Sequence, residues 1–188
     1  ELIYQDFAPI VYDSGNYEPL LDDALEKIGY HKFISETQPK LRAEGKHVGI
    51  GIVAYVEGTG IGPYEGAKVQ VMGSGRVSVV TGVGTQGQGH FTSFAQIVAE
   101  QLGVDVDQID VVTGDTDQFY WGAGTFASRG AVVAGNAINE AAKVVRKKIL
   151  KLASEHFNAP EDEHELADGM VKVQDVPRMT ISLGELAG

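Results

Sequence analysis

The chain has 188 residues, enough for one domain with a real core or for one domain plus part of another. Its net charge is −11, and its one dense basic run (Lys143, Arg146, Lys147, Lys148, Lys151) falls near the end of a predicted helix, where cations suit the macrodipole; both facts argue against a nucleic-acid surface. There is no Cys, which excludes disulfides, thiolate metal sites and iron–sulfur ligation within the chain, and no apolar run reaches membrane-spanning length.

Residues 1–45 read as a helical lead-in, and residues 46–188 as the main domain. Tyr12 to Asn16 is turn chemistry. Asn16 caps a predicted helix to Ile28, with Leu20, Leu21, Ala24, Leu25 and Ile28 on one face and Gly29 as the stop. A weaker helical stretch, His31 to Ala43, is interrupted by Pro39. From 47 the apolar period becomes two, which predicts strands at His47–Val56, Ala67–Met72 and Arg76–Thr81, the last two joined by a hairpin turn at Gly73-Ser74-Gly75. A helix follows over Phe91–Leu102, stopped by Gly103, then an apolar strand over Ile109–Thr113. A long helix over Ala131–Ala153 is read as capped by Ser128, buried in its small-residue first half and exposed in its basic second half. Glu161 to Glu165 reads as an acidic linker, Met170–Val173 and Met179–Ile181 as short strands, and Ser182 with Glu185 as a capping box that opens a helix. The core order β-β-α-β-α-β implies an α+β, two-layer sandwich with a mixed sheet. The Glu1 start and the helix opening at the far end suggest a piece of a longer protein.

Two loops carry the chemistry. Gly82-Val83-Gly84-Thr85-Gln86-Gly87-Gln88-Gly89-His90 joins a strand to a helix. Such a loop turns backbone N–H groups outward, and the helix start adds positive dipole. Gln86 and Gln88 add amides that donate and accept. Together they suit a ligand with phosphate and a polar heterocycle, although a Gly-rich turn of this kind more often binds nothing. The loop is neither a Walker A sequence nor a dinucleotide Gly-x-Gly-x-x-Gly. The second loop, Gly122-Ala123-Gly124-Thr125-Phe126-Ala127-Ser128-Arg129-Gly130, also precedes a helix. Arg129 there either reaches a phosphate bidentately or pairs with a local carboxylate.

Other residues have plainer roles. Asp115 and Asp117 fit a turn better than a cation site. His90 either touches a ligand or caps its loop. His31, His47, His156 and His164 read as surface residues, Tyr120 and Trp121 as core. Gly-x-Ser-x-Gly is absent.

In order, the first loop, Ala95-Gln96-Ile97, Gly114-Asp115-Thr116 and Gly124-Thr125-Phe126-Ala127-Ser128-Arg129 resemble the large subunit of molybdenum hydroxylases, the xanthine dehydrogenase and aldehyde oxidase family, and most of all its aerobic carbon monoxide dehydrogenase-like members. Tyr12 to Tyr17 and Tyr55 to Gly60 share the resemblance, which runs from Tyr12 to His156. It implies a fold of the molybdenum cofactor-binding domain type in a cytoplasmic oxidoreductase. Gly84, Thr85, Gln86, Gly87, Gln88, Gly89 and His90 would bind a molybdopterin cytosine dinucleotide, and Thr125, Phe126, Ala127, Ser128 and Arg129 would hold it from the second loop. Phe126 would lie near the metal and shape the pocket for a small-molecule substrate. FAD and 2Fe-2S centres would sit on partner subunits or domains. Members with carbon monoxide activity tend to carry Tyr-Gly where this chain has Phe126-Ala127. The family's catalytic Glu lies near the end of the full subunit and has no match here, since Glu185 sits in another context. The resemblance therefore assigns no catalytic residue and no metal ligand to this chain, and the isolated chain is expected to be inactive. The alternatives are a scaffold or assembly module without cofactor, and an unrelated phosphate-binding enzyme.

Overall fold

In the computed structural model, residues 2–5, 8–11 and 15–188 are described, with side chains from residue 15 onward. The predicted turn at Tyr12 to Asn16 lies largely outside them. The chain divides into two compact units, residues 1–56 and 57–188.

In the first unit, β1 (Leu2–Gln5) and β2 (Ala8–Val11) form an antiparallel hairpin. Helix α1 (Tyr17–Ile28) follows, closed by Gly29. Asn16 stands at its cap position, but its side chain makes no capping bond. The stretch beyond stays helical through Pro39: α2 (Tyr30–Lys32), a π turn over Phe33–Thr37, then α3 (Gln38–Ala43). Pro39 has no N–H to return to the preceding turn, and the helix widens just upstream, where the Gln38 N–H bonds the Phe33 carbonyl five residues back. The predicted strand at 47–56 does not form. Its apolar residues alternate, but no described strand pairs with it, and Val48, Ile52 and Val56 stay exposed.

The second unit is built on a three-stranded mixed sheet of β3 (Ala67–Val71), β4 (Val77–Thr81) and β5 (Ile109–Thr113). β3 runs antiparallel to β4, and β5 parallel to it. Helices α4 (His90–Leu102) and α5 (Gly135–Phe157) pack against the sheet and each other, burying Val77, Val79, Phe94, Val98, Leu102 and Ile138. Small residues set that closeness: a Cβ on Gly135 would lie 3.2 Å from Ile97. Gln101 bonds Asn139 at 3.0 Å, and Arg146 covers the Gln101 carbonyl near the end of α4 at 2.7 Å.

Ser128 does not cap α5. Its backbone is left-handed at φ +48°, and α5 is entered through a π turn over Gly130–Ala134. The helix is amphipathic to its end rather than exposed in its second half, since Ile149 and Ala153 are buried while the lysines face out. The acidic stretch is not a plain linker. After a short 3-10 turn (Glu161–Glu163) it enters β6 (His164–Ala167), which pairs with β7 (Met170–Val173), itself paired with β8 (Thr180–Ser182). The predicted capping box is present: Ser182 accepts from the Glu185 N–H and opens α6 (Leu183–Ala187).

Candidate functional site

The topology brings three segments to one end of the mixed sheet. Register pairs Ala67 with Thr81 across the antiparallel edge and Thr81 with Thr113 across the parallel edge. The exits of β4 and β5 and the entrance of β3 therefore meet. Open sheets bind ligands outside the carboxyl ends of parallel strands, and both loops start there. Side-chain and backbone bonds tie the meeting point together: Thr81 Oγ1 donates to the Gly66 carbonyl at 2.9 Å, and the Gly114 N–H donates to the Thr81 carbonyl at 3.1 Å.

The first loop rises from β4 into α4. Val83 is fully buried and anchors it, while Gln86, Gly87, Gln88 and Gly89 are exposed. A Cβ on Gly84, Gly87 or Gly89 would meet nothing within 4 Å. Gly89 takes the cap position of α4 at φ +82°, a conformation that favours glycine, and no side chain caps the helix. The first N–H groups of α4 thus have no side-chain partner. Gln88 folds back, its Oε1 accepting from the Gln86 N–H at 2.6 Å and from Thr85 Oγ1 at 3.3 Å. Its Nε2 and the Gln86 amide remain for another group.

The second loop touches the first. Thr125 Oγ1 donates to the Gly84 carbonyl. At their roots, a Cβ on Gly82 would collide with the Trp121 carbonyl, and one on Gly122 with the Gly82 carbonyl. His90 closes the other side: its ring is buried, stacks on Phe94 at 4.7 Å, and lies where a Cβ on Gly130 would be. Burial lowers the His90 pKa from its usual value. The ring makes no capping bond to its loop and instead packs between α4 and the second loop, a role that neither sequence reading of His90 gave it.

Of the two roles open to Arg129, pairing with a local carboxylate is the one observed. Its side chain is fully buried, as is that of Glu65, and the two form an ion pair. Arg129 Nη1 also donates to the Gly124 carbonyl at 2.8 Å, and Nη2 to the Pro63 carbonyl. The guanidinium carbon lies 5.0 Å from the Phe126 ring centre, and Phe126 itself is 48% exposed. Ala127 and Ser128 hold left-handed backbones at φ +47° and +48°.

Sequence reasoning gave no site role to the third segment, residues 57–66, of which only Glu57 to Gly60 entered, as part of the resemblance. Its Gly60 N–H bonds the Ala127 carbonyl at 3.0 Å, and Tyr64 stacks on Trp121 at 5.1 Å while accepting from its indole N–H. Its signal was positional: Pro63-Tyr64-Glu65-Gly66 enters the strand antiparallel to the one that feeds the first loop. Trp121 is therefore half-buried rather than in the core, and Tyr120 is 85% exposed. Asp115 takes the turn role, with Oδ1 accepting from the Asp117 N–H at 3.0 Å. His164 is buried rather than at the surface, its Nδ1 2.7 Å from the Pro160 carbonyl.

Fold and loops define an α+β ligand-binding domain with a glycine-lined, donor-rich cradle at the carboxyl ends of two parallel strands. The chain belongs to the molybdopterin cofactor-binding domain family, which it matches over residues 23–188. It is 39% identical over 95% of its length to the 6-hydroxypseudooxynicotine dehydrogenase complex subunit gamma of Paenarthrobacter nicotinovorans, of which it covers 22%. It is 32% identical over 94% of its length to the carbon monoxide dehydrogenase large chain of Afipia carboxidovorans, of which it covers 24%. The crystal structure of quinoline 2-oxidoreductase from Pseudomonas putida 86 superposes with a TM-score of 0.65 at 31% identity, over 96% of this chain and 24% of that one. The chain thus spans about a quarter of the length of these relatives.

The cradle's chemistry suits such a group. Open space stands over Gly84 and Gly87, two amides and an uncapped helix start supply donors, and the buried Arg129 is neutralised by Glu65. An anion would be met by N–H groups rather than by lysine.

Proposed function

We propose that this chain is the cofactor-cradling part of a molybdenum-dependent oxidoreductase large subunit. The observation that carries the reading is the direct bonding of the two loops, Thr125 to the Gly84 carbonyl, beside an uncapped helix start. Gly84, Thr85, Gln86, Gly87, Gln88, Gly89 and His90 form one wall, and Thr125, Phe126, Ala127, Ser128 and Arg129 the other. Backbone N–H groups of the first loop and of the α4 start would take the phosphates. The Gln86 amide and Gln88 Nε2 would take the pterin edge. His90 and Arg129 act from behind, packing the walls together rather than pointing outward. The cytosine dinucleotide form of the cofactor belongs to this reading, as do FAD and 2Fe-2S centres on partner subunits or domains and a cytoplasmic setting.

When bound, the molybdenum cofactor supplies the two-electron redox chemistry; the protein supplies orientation. The exposed Phe126 ring is an apolar face beside the cradle. It suits a planar heteroaromatic substrate better than a diatomic one, in keeping with the relatives named for quinoline and hydroxypseudooxynicotine.

Molybdenum and pterin analysis of the full-length protein tests the reading, together with Gly84→Leu. A Cβ at this position meets no protein atom within 4 Å, so the unfolding midpoint should move by less than about 1 kcal/mol while cofactor content falls to background. A fully matured sample without molybdenum, or normal retention in the variant, would contradict the proposal.

A further inference from the structure

Glu65 lies outside both loops and outside every motif singled out in the sequence. Its side chain is fully buried beside Arg129, and its Oε1 also accepts from the Ala123 N–H at 3.1 Å. Through Arg129 it reaches the Gly124 and Pro63 carbonyls. One carboxylate thus holds both ends of the second loop, residues 123–124 and 129, to the entrance of β3. Yet Glu65 Oε2 and Arg129 Nε are buried without a partner. A buried pair that leaves bonding capacity unfilled is a poor source of stability, and apolar residues of equal volume often replace one without loss. Directional bonds do what an apolar pair cannot. The loop they span contains Ala127 and Ser128 in left-handed conformations, which persist only where the surroundings over-determine them.

We infer that Glu65 is a positioning residue of the cradle: acting through Arg129 and the Ala123 N–H, it holds the second loop in the strained form that presents Thr125 to Ser128 to the ligand. The ligand's identity rests on the proposed function; the brace itself does not.

The test uses full-length, cofactor-loaded protein carrying Glu65→Gln, which keeps shape and one acceptor but removes the charge. Molybdenum and pterin should leave at least about tenfold faster, well below the unfolding temperature. Trypsin should also cut after Arg129, a bond shielded in the parent because that side chain is fully buried. Unchanged release, or faster release without the new cut, would overturn the assignment. The double variant Glu65→Gln/Arg129→Met serves if the single one does not fold. It fills the space with a neutral pair and should regain stability while release stays fast; release restored along with stability would show that the pair only fills space. If the parent holds neither molybdenum nor pterin, the proposed function fails, and the cut after Arg129 in Glu65→Gln alone decides whether the brace exists.

Discussion

The two loops of the cradle hold themselves in opposite ways. The first loop is anchored by Val83 below and is open above, and its side-chain hydrogen bonds are made within itself, offered by Thr125, or offered by Ser93 of the helix that follows. The second is tied to a third segment by a buried ion pair and contains two strained non-glycine residues. The first presents backbone, and its shape follows from glycine and a helix start. The second presents side chains, and its shape must be imposed by residues remote in sequence. A donor surface can be written locally; a fixed aromatic ring beside it needs a frame.

The sharpest way to break this comparison is at Gly82, two residues from the open Gly84. A Cβ at Gly82 would strike the Trp121 carbonyl where the roots of the loops touch. Gly82→Ala should cost about 3 kcal/mol or more, read from the urea unfolding midpoint. A silent substitution would mean that the loops do not meet there.

A smaller effect concerns pH. Burial lowers the folded-state pKa of His90, so the unfolded chain binds its proton more readily. The His90 contribution is fully present above the unfolded value, near about 6.5, and is lost as pH falls from there toward the lowered folded value. Urea midpoints between about pH 8 and pH 5 should fall in the parent, and less so in His90→Phe, which keeps a neutral ring on Phe94. Identical slopes would mean that the buried His90 ring does not carry this pH dependence.

The smallest effect tests strain. Ala127 at φ +47° sits where glycine is at ease. Ala127→Gly should stabilise by about 0.5 kcal/mol, the relief of a left-handed alanine less the added entropy of the unfolded chain. Destabilisation would show that the loop is not strained at this residue.

Much of the fold was legible because periodicity and punctuation agree. Ile109–Thr113 and Met170–Val173 fall where the apolar pattern puts them, and Gly29, Gly103 and the Ser182–Glu185 pair mark real ends. The failures lie where a local pattern lacks a partner or meets a distant one. Residues 47–56 alternate like a strand, but none of the described strands supplies a ladder. Ser128 has cap chemistry, but the brace bends its backbone left-handed. The loops of the site were legible from composition. Arg129 was visible as a charge, but its counter-charge was not, because Glu65 is 64 residues away and only the antiparallel pairing of β3 with β4 brings it there.

The neutralised Arg129 has a further consequence. A phosphate site built on lysine weakens as ionic strength rises, because salt screens the attraction that fills it. This cradle offers no free cation among the residues of its two loops and belongs to a chain of net charge −11. Salt there screens repulsion instead. An anionic ligand seated among these N–H groups would hold as well or better in brine than in dilute buffer, and ion-exchange conditions that strip nucleotides from lysine-lined pockets would leave it in place.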